Sequence, residues 1–439
     1  MLNKKLGNLT RFKFIELLFV AYILCIPFFI IITKFTLNRY PLYILYLIPL
    51  VLTFFIFMIM PSSYKVIQHI SNFYLLFLLF LLLQIFNPLN HSILMGFSYY
   101  VANYSPALVV LIFLLYFYEP KKIVRLIKYI WITALLGAIY SLYQAFIGYP
   151  AFEDRWAFNL GGGVHGLNVW QHIARRPPGF TLYSATNAQF LGGCFLIRFS
   201  LYEKINKIDL ICLVIILLSF LTTQTRGIWI AVIFGFIYIL FCKFQKNSLI
   251  KFAKKYAIFI LLCFIITLLS FAYIDFLYQR LISFHNSLTI ASHPLMSRIL
   301  MWISYLSYSK DTLWSGLGTG SIGIGGGLIN LSAGFAIVAD NMYLNILLST
   351  GFIGLFLFVS LLLSAVIDGH RLTKTLTDNA ANLNIGAVSV IIMNSISFIT
   401  GDYLQAFPGN LVFWIAFGII YNGRMHMSNY NKFERKKAI

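Results

Sequence analysis

Runs of apolar residues long enough to cross a lipid bilayer recur along almost the whole chain. One of them, from Tyr40 to Met60, contains no charged residue. A transmembrane helix needs about 20 mostly apolar residues, whereas the strands of a membrane barrel alternate apolar and polar residues, a pattern that these runs lack. With a mean hydropathy of +0.83 and only 10% charged residues, the chain is predicted to be an all-α polytopic membrane protein.

We predict about twelve transmembrane helices in a single integral membrane domain that covers residues 1–439. Their predicted ranges are Phe14–Thr33, Tyr40–Met60, Phe73–Phe86, Tyr104–Tyr118, Ile127–Ile147, Leu182–Tyr202, Ile208–Thr223, Ile228–Phe241, Ala257–Tyr273, Met342–Val366, Leu383–Ile399 and Leu411–Tyr421. Two long polar segments interrupt the series. The first covers residues 148–181, and the second covers residues 275–339, between the ninth and tenth predicted helices.

The distribution of basic residues predicts how the chain lies in the membrane. The net charge is +20, and 24 of the 33 lysines and arginines fall in segments that are cytoplasmic if the amino terminus is inside. Basic residues concentrate in the cytoplasmic loops of membrane proteins. Both termini are therefore expected in the cytoplasm, and the positive charge reflects topology instead of a nucleic-acid partner.

Nothing in the sequence indicates cofactor chemistry. All five cysteines fall in or at the ends of predicted helices, which disfavours disulfides and a cysteine metal site. His165 and His172 lie in one outer segment without a third ligand nearby. We therefore expect no metal and no cofactor.

Nine basic residues remain on the predicted outer side of the membrane. Lys34 lies in a short hairpin, where an interfacial anchor is expected. Arg175 and Arg176 precede two prolines, which hold the backbone stiff where the chain re-enters the membrane. Arg226 lies in a turn so tight that its permanent charge must sit at or below the membrane surface, which is costly without an anion or water nearby. These arginines either anchor the chain to lipid phosphates or bind an anionic lipid ligand, and the lack of matching acids favours the ligand.

The second outer segment is predicted to contain an amphipathic helix from Ser297 to about Ser309. Arg298 and Trp302 lie four residues apart and therefore share one face of that helix. Such a helix along the outer leaflet could also be purely an interfacial anchor.

An acid stands at the start of the apolar helix that follows this segment. Asp340 precedes Asn341 and Tyr343 in the stretch VADNMYLNILLSTGFIGL. Aspartate is a favoured helix cap, and its charge suits the positive end of a helix. A carboxylate partly dried by apolar neighbours can instead accept a proton. The residues alone leave both roles of Asp340 open.

Four stretches in a fixed order resemble the bacterial O-antigen ligase and O-antigen polymerase superfamily. They are RPPGFTLYSATNAQFLGG (176–193), TRGIW (225–229), SRILMW (297–302) with SGLGTG (315–320), and DNMYLNILLSTGFIGL (340–355). The resemblance implies a metal-independent glycosyltransferase in which long helices surround a cavity open to the periplasm. Its donor would be an oligosaccharide on undecaprenyl pyrophosphate, and its acceptor another saccharide on a lipid.

The resemblance also implies roles for individual residues. Arg226 and Arg298 match the family's arginines that hold the pyrophosphate, and Asp340 stands where the family's ligases have their proposed base. We therefore assign Asp340, Arg298 and Arg226 to catalysis. Substrate-binding roles are assigned to Arg280, Arg176, Arg175, Asn341, Tyr343, Asn187 and Trp302. Membrane lipids and a chain-length regulator protein are further candidate partners.

The family's ligases, which transfer polymer to lipid A core, carry His-Asn where this chain has Asp340-Asn341. The acid therefore favours a polymerase over a ligase. A flippase for the same lipid is the alternative from another class, since about twelve helices around a cationic cavity also suit transport. The clearest ionisable residue within a predicted helix is Glu16, near its inner end, which favours an enzyme at the outer face. We expect the protein in the bacterial inner membrane, with its active site facing the periplasm.

Overall fold

In the computed structural model, every regular element of the described residues is a helix. Those residues are 2–36, 40–59, 68–90, 92–116, 119–153, 155, 176–201, 207–246, 294–322, 339–405 and 407–437. The helices in chain order are α1 (Leu2–Thr36), α2 (Tyr40–Ile59), α3 (Asn72–Leu83), α4 (Ile93–Tyr104), α5 (Val109–Tyr116), α6 (Pro120–Phe146), α7 (Ser184–Ser200), α8 (Lys207–Thr222), α9 (Arg226–Lys246), α10 (Pro294–Tyr308), α11 (Met342–Thr375), α12 (Asp378–Ser397) and α13 (Gly409–Lys437). Short 3-10 turns lie at Gln84–Phe86, Ser105–Leu108, Lys310–Thr312 and Tyr403–Gln405.

Many of these helices are apolar enough to lie in a bilayer. Within the described part of the chain, six segments are also long enough to cross it: Ile15–Thr36, Ile93–Leu115, Pro120–Phe146, Arg226–Gln245, Met342–Thr375 and Asn379–Ser397. Shorter apolar helices cover Tyr43–Phe55, Asn72–Phe86 and Ile208–Thr222. The chain is therefore a multi-pass membrane protein, as its apolar runs predicted.

Each predicted helix that falls on described residues overlaps an observed helix. Several observed helices extend beyond the predicted apolar run, because charged residues can continue a helix into water without breaking it. The fourth predicted helix was placed too late, since the span begins at Ile93 and not at Tyr104. A polar residue in this part of the span is buried in the bundle: Asn103 donates to the Tyr99 backbone carbonyl at 2.9 Å. The ninth predicted helix, Ala257–Tyr273, lies outside the described residues.

Helices α7 and α12 form the centre of the bundle. Helix α12 packs against α7, α9, α11 and α13, and α7 is buried over most of its length. Small residues allow this close approach. A Cβ atom on Gly235 of α9 would lie only 2.8 Å from the Ser389 carbonyl oxygen of α12.

Lys34 corrects one expectation, because it is buried instead of anchoring the chain at the membrane surface. Its Nζ lies 2.5 Å from Glu153 Oε1, and both side chains are at most 2% exposed. The ammonium also donates to the Gly179 carbonyl at 3.1 Å, while Gln144 Nε2 donates to the other Glu153 oxygen at 2.5 Å. The end of α1 is thereby fastened to both ends of the first outer segment, which a pattern of neighbouring residues could not predict.

Helix α11 is broken at Gly351, whose φ of 72° and ψ of −174° are not helical. The glycine-rich turn after α10 fills the break. Leu317 N donates to Leu348 O at 2.9 Å, Gly318 N donates to Ser349 O at 2.8 Å, and Phe352 N donates to Leu313 O at 2.9 Å. The SGLGTG and STGFIG stretches therefore interlock through their backbones, which satisfies polar groups that the broken helix exposes.

Candidate functional site

Three arginines from separate parts of the chain meet at one end of the bundle. Arg176 precedes α7, Arg226 is the first residue of α9, and Arg298 lies in the first turn and a half of α10. The charges of Arg226 and Arg298 both act on Arg176, so each of these two guanidiniums is within electrostatic reach of the Arg176 guanidinium. Like charges repel at such range, and their clustering favours an anionic ligand.

Arg176 is held by the turn that joins α8 to α9. Its Nε donates to the Thr223 carbonyl at 3.3 Å, and its Nη2 donates to the Gln224 carbonyl, also at 3.3 Å. These carbonyls follow the end of α8, where a helix leaves acceptors unpaired. Burial lowers the pKa of Arg176, and the neighbouring arginine charges lower it further, while Tyr403 opposes them. The turn is as tight as the sequence predicted, with a left-handed φ of 53° at Gln224.

Asp340 pairs with Arg298 instead of capping α11. Arg298 Nε lies 3.4 Å from Asp340 Oδ2, and the two side chains are 42% and 45% exposed. The cap is Asn341, whose Oδ1 accepts the Leu344 backbone N–H at 3.1 Å. The capping role considered for Asp340 is therefore wrong, because the cap is the next residue, Asn341. Asp340 itself adopts a left-handed φ of 45°, a backbone conformation that is uncommon outside glycine but that aspartate adopts more readily than most residues.

A second acid, Asp402, lies beside this pair and was missed at the sequence level. Its Oδ2 accepts Asn345 Nδ2 at 3.2 Å, while its Oδ1 is buried with no hydrogen-bond partner among the described residues. Burial raises the pKa of Asp402 to about 7, and the negative charge of Asp340 raises it too. The hydrogen bond from Asn345 and the nearby Asn341 N–H oppose the shift. The acid in the short stretch TGDYLQ between two apolar runs was the available signal.

Asp402 belongs to residues 398–405, here called the 398–405 loop. This loop contacts the starts of the helices that follow Asp340 and that begin with Arg226. Met342 N donates to Phe398 O at 2.8 Å, which fastens the loop to the start of α11. A Cβ atom on Gly227 would overlap Thr400, so the loop also packs against the start of α9 beside Arg226. Tyr403 in turn lies within electrostatic reach of Arg298, Asp340 and Arg176.

The other residues predicted to bind substrate mostly make internal contacts. Asn187 is 1% exposed and donates to Ser141 Oγ at 3.1 Å and to the Pro177 carbonyl at 3.4 Å. The Tyr343 hydroxyl donates to the Ser395 carbonyl at 2.7 Å, and Trp302 Nε1 donates to the Ala339 carbonyl at 2.6 Å. These side chains fix the backbone next to Arg176 and Asp340. Arg175 and Arg280 lie outside the described residues.

Trp302 and Arg298 also test the predicted amphipathic helix. Helix α10 runs from Pro294 to Tyr308, close to the predicted range. Its Trp302 packs with Leu344 and Leu348 of α11, whereas Leu300 and Ile303 are 57% exposed. The helix is therefore attached to the protein on one face, while its opposite apolar face is exposed.

Comparison with known protein families identifies the segment that carries most of this site. Residues 211–359, about a third of the chain, match the family model described as O-Antigen ligase. Residues 211–359 are an O-antigen ligase family domain. Members of the O-antigen ligase family are glycosyltransferase-type ligases or polymerases that act on lipid-linked saccharides. A location in the bacterial inner membrane is consistent with this family. No curated protein matches the chain.

The family segment contains Arg226, Arg298 and Asp340, but Arg176 and Asp402 lie outside it. The structure brings residues from both sides of the segment to the same place. The site is thus assembled from the O-antigen ligase domain together with the chain that flanks it.

Proposed function

We propose that the protein is a polymerase of O-antigen or a related surface polysaccharide. It transfers an oligosaccharide from undecaprenyl pyrophosphate to another lipid-linked repeat unit at the periplasmic face of the bacterial inner membrane. About twelve transmembrane helices would carry this site, with both termini in the cytoplasm. The observation that supports it is that Arg226, Arg298 and Asp340 of the O-antigen ligase family domain lie near Arg176, a further arginine from the chain that precedes the domain.

The arginines suit the leaving group of this reaction. As the bond between the anomeric carbon and the phosphate oxygen breaks, its electron pair passes to the pyrophosphate, whose negative charge increases. Guanidiniums stabilise that charge, and their planar forks suit pairs of phosphate oxygens. Arg226 and Arg298 are the proposed pyrophosphate ligands. Arg176 is fixed beside them by the α8–α9 turn, and Arg280 is proposed to join them.

Asp340 belongs to the same proposed reacting centre. The sequence-based assignment makes it the acceptor of the proton that the attacking hydroxyl loses. Its pairing with Arg298 gives it a second task, because a carboxylate at 3.4 Å fixes where that guanidinium points. The acid in place of the ligases' histidine is what favours the polymerase branch.

A flippase is less well supported by the charges in the described bundle. Glu16, the clearest ionisable residue in a predicted helix, pairs with Lys122 at 2.9 Å where α6 begins. The pair lies near the start of α6 and near the start of the apolar span Ile15–Thr36 of α1, which is proposed to be the cytoplasmic side. A transport path through the bundle centre is expected to carry ionisable groups at mid-depth.

Deleting the gene in the source bacterium tests the proposal and separates its alternatives. A polymerase mutant is expected to carry one repeat unit per lipid anchor where the wild type carries long chains. Polymer that accumulates on its lipid carrier would show lost ligation instead. Unchanged surface glycan would contradict both assignments.

Complementing the deletion strain with variants tests the arginine site. Arg298→Lys keeps the charge but loses the fork, and we expect it to restore less than a tenth of the long-chain glycan. Lys310→Gln removes an exposed cation just beyond α10 and is the matched control, expected to restore the wild-type pattern. Full complementation by Arg298→Lys would reduce Arg298 to a surface anchor.

A further inference from the structure

We propose that Asp402 accepts the proton of the attacking hydroxyl and that Asp340 acts as the positioning residue for Arg298. This inference rests on the proposed glycosyl transfer and assigns its base to a residue beyond the O-antigen ligase family domain. Three observations carry it: where the 398–405 loop lies, how the two Asp402 oxygens are engaged, and how Asp340 is already occupied.

The 398–405 loop places Asp402 at the junction of the elements that carry the arginines. The Phe398 carbonyl accepts a hydrogen bond from the Met342 N–H at the start of α11, and Thr400 packs against Gly227 at the start of α9. The next residue after Asp402 is Tyr403, which reaches Arg176 and Arg298 electrostatically. The Asp402 carboxylate is thus next in sequence to a residue that reaches two of these cations, and it is itself within electrostatic reach of Asp340, the partner of Arg298.

The two oxygens of Asp402 differ in their surroundings. Asn345, which is 1% exposed, donates to Oδ2 and fixes the orientation of the carboxyl group. The Asn341 N–H also acts on the carboxyl group, but Oδ1 is buried and makes no hydrogen bond of ordinary geometry among the described residues, which is costly for a charged oxygen. A hydroxyl donor or a proton would relieve that cost. Asp402 as a whole residue is partly exposed.

Asp340 is differently placed. It is nearly half exposed, and one of its oxygens already contacts Arg298. Taking a proton there would weaken this ion pair while Arg298 is needed to stabilise the departing pyrophosphate. Keeping Asp340 charged and giving the proton to Asp402 avoids that conflict.

The step then balances without any further reactant. The acceptor hydroxyl oxygen forms a bond to the anomeric carbon, and its proton passes to the Asp402 carboxylate. The bond from the anomeric carbon to the phosphate oxygen breaks, and the pyrophosphate leaves with the electron pair. Once the product departs, the proton is released to water at the outer face.

The surroundings of Asp402 suit a base that works near neutral pH. Its pKa is raised to about 7, mainly by burial, and a base is most effective when its pKa lies near the working pH. The titratable and charged groups around it are Asp340 from the segment before α11, Tyr99 and Tyr104 from α4, Tyr403 in its own loop, and Arg176 and Arg298 beyond Tyr403.

The test measures transfer by the purified full-length protein in liposomes across about pH 5.5 to about pH 8.5, a range that brackets a base of near-neutral pKa. The probe is lipid-linked oligosaccharide extracted from the deletion strain. For the wild type, kcat/KM is expected to rise with pH through about 7. Asp402→Asn should lower kcat about 100-fold or more and abolish this rise, with little change in donor binding. Asp402→Glu should recover part of the rate with a shifted pH profile.

Two further variants separate the roles. Asp340→Asn is expected to keep the rise with pH but to increase the KM for the donor more than it lowers kcat. Asp311→Asn removes an exposed acid from the turn after α10 and should behave like the wild type. The inference is overturned if the wild-type profile is flat, or if Asp402→Asn stays within about threefold of Asp311→Asn, since a general base contributes far more. If instead the wild type transfers nothing, the proposed function fails.

Thermal unfolding shows whether Asp402→Asn folds and gives a second reading. An acid whose pKa is raised on folding holds its proton in the folded state and loses it in the unfolded state between the two pKa values. Wild-type stability should therefore fall as pH rises from about 4 to about 7. Asp402→Asn cannot ionise, so it should lack this fall and melt at a higher temperature than the wild type at pH 8. A lower melting temperature at every pH would show a purely structural residue and overturn the inference.

Discussion

Two adjacent residues at the start of α11 perform different tasks, and the difference can be measured. Asn341 caps the helix through its side-chain oxygen, whereas Asp340 contacts Arg298. We expect Asn341→Ala to lower the free energy of unfolding by about 1 kcal/mol, because a backbone N–H loses its partner. Asp340→Ala removes no cap and should change stability by less than about 0.5 kcal/mol. Denaturant titration of the two variants in detergent compares these effects.

If both variants lost the same stability, the cap would not reside in Asn341 alone. The outcome matters for function, because an Asp340 variant can be used to study the reaction only if its fold is intact. Activity lost by Asp340→Ala at unchanged stability would place that residue in the reaction and not in the helix.

At the residue scale, sequence motifs predicted the cations better than the acids. Arg226 and Arg298 were found because permanent charges in apolar surroundings stand out, and the structure brings them together with Arg176. Asp402 was missed because it lies after α12, beyond the four sequence stretches that carry the family resemblance. Asp402 lies near Asp340 only because the loop that carries it is held to the start of α11 by the hydrogen bond from Met342 N to Phe398 O, two residues far apart in sequence.

At the element scale, the interlock between the glycine-rich turn and the broken α11 predicts which glycines are essential. A Cβ atom on Gly351 would overlap the Trp314 carbonyl, and the positive φ there is unfavourable for any other residue. Gly351→Ala is therefore expected to lower the free energy of unfolding by roughly 2–4 kcal/mol. The measurement is denaturant or thermal unfolding of the purified variant.

Gly137 of α6 provides the matched control for this substitution. A Cβ atom there would meet Phe180 at an ordinary 3.5 Å, and the backbone is helical. Gly137→Ala should be neutral or stabilise the protein by up to about 1 kcal/mol, because alanine favours the helix. Equal losses in the two variants would contradict the interlock as the cause.

The buried pair between α1 and the first outer segment predicts a second essential contact. Lys34→Met leaves the Glu153 carboxylate buried without its cation, which should cost about 3–5 kcal/mol of stability. Adding Glu153→Gln to that variant should recover part of the loss, because no buried charge then remains. Thermal unfolding of the single and double variants measures the recovery.

A partly exposed ion pair between α1 and the start of α6 serves as the control. Lys122 and Glu16 are 29% and 23% exposed, so Lys122→Gln should cost no more than about 1 kcal/mol. Lys34 also donates a hydrogen bond to the carbonyl of Gly179, three residues beyond Arg176. Replacing Lys34 should therefore lower glycan transfer as well. A Lys34→Met variant of wild-type stability would show that the pair does not hold this segment.

At the scale of the whole molecule, the sequence predicted the class of fold and most helices, because hydrophobicity alone decides which segments enter a bilayer. It did not predict how helix ends are joined. The Lys34–Glu153 pair and the insertion of the SGLGTG turn at Gly351 link residues distant in sequence. Such contacts depend on three-dimensional packing, which no local pattern encodes. The sequence therefore singled out individual arginines, and only the fold shows that they lie near one another.

The orientation of the bundle is the remaining condition for everything proposed about the arginines. If basic loops lie inside, Lys310 after α10 faces the periplasm and Lys374 at the far end of α11 faces the cytoplasm; both side chains are exposed. A membrane-impermeant maleimide applied to intact spheroplasts should label Lys310→Cys, and should label Lys374→Cys only after the membrane is permeabilised. The native cysteines lie in or at the ends of predicted helices, and unmodified protein measures their background. The reverse labelling pattern would place Arg176, Arg226 and Arg298 in the cytoplasm, where periplasmic transfer between lipid-linked saccharides cannot occur.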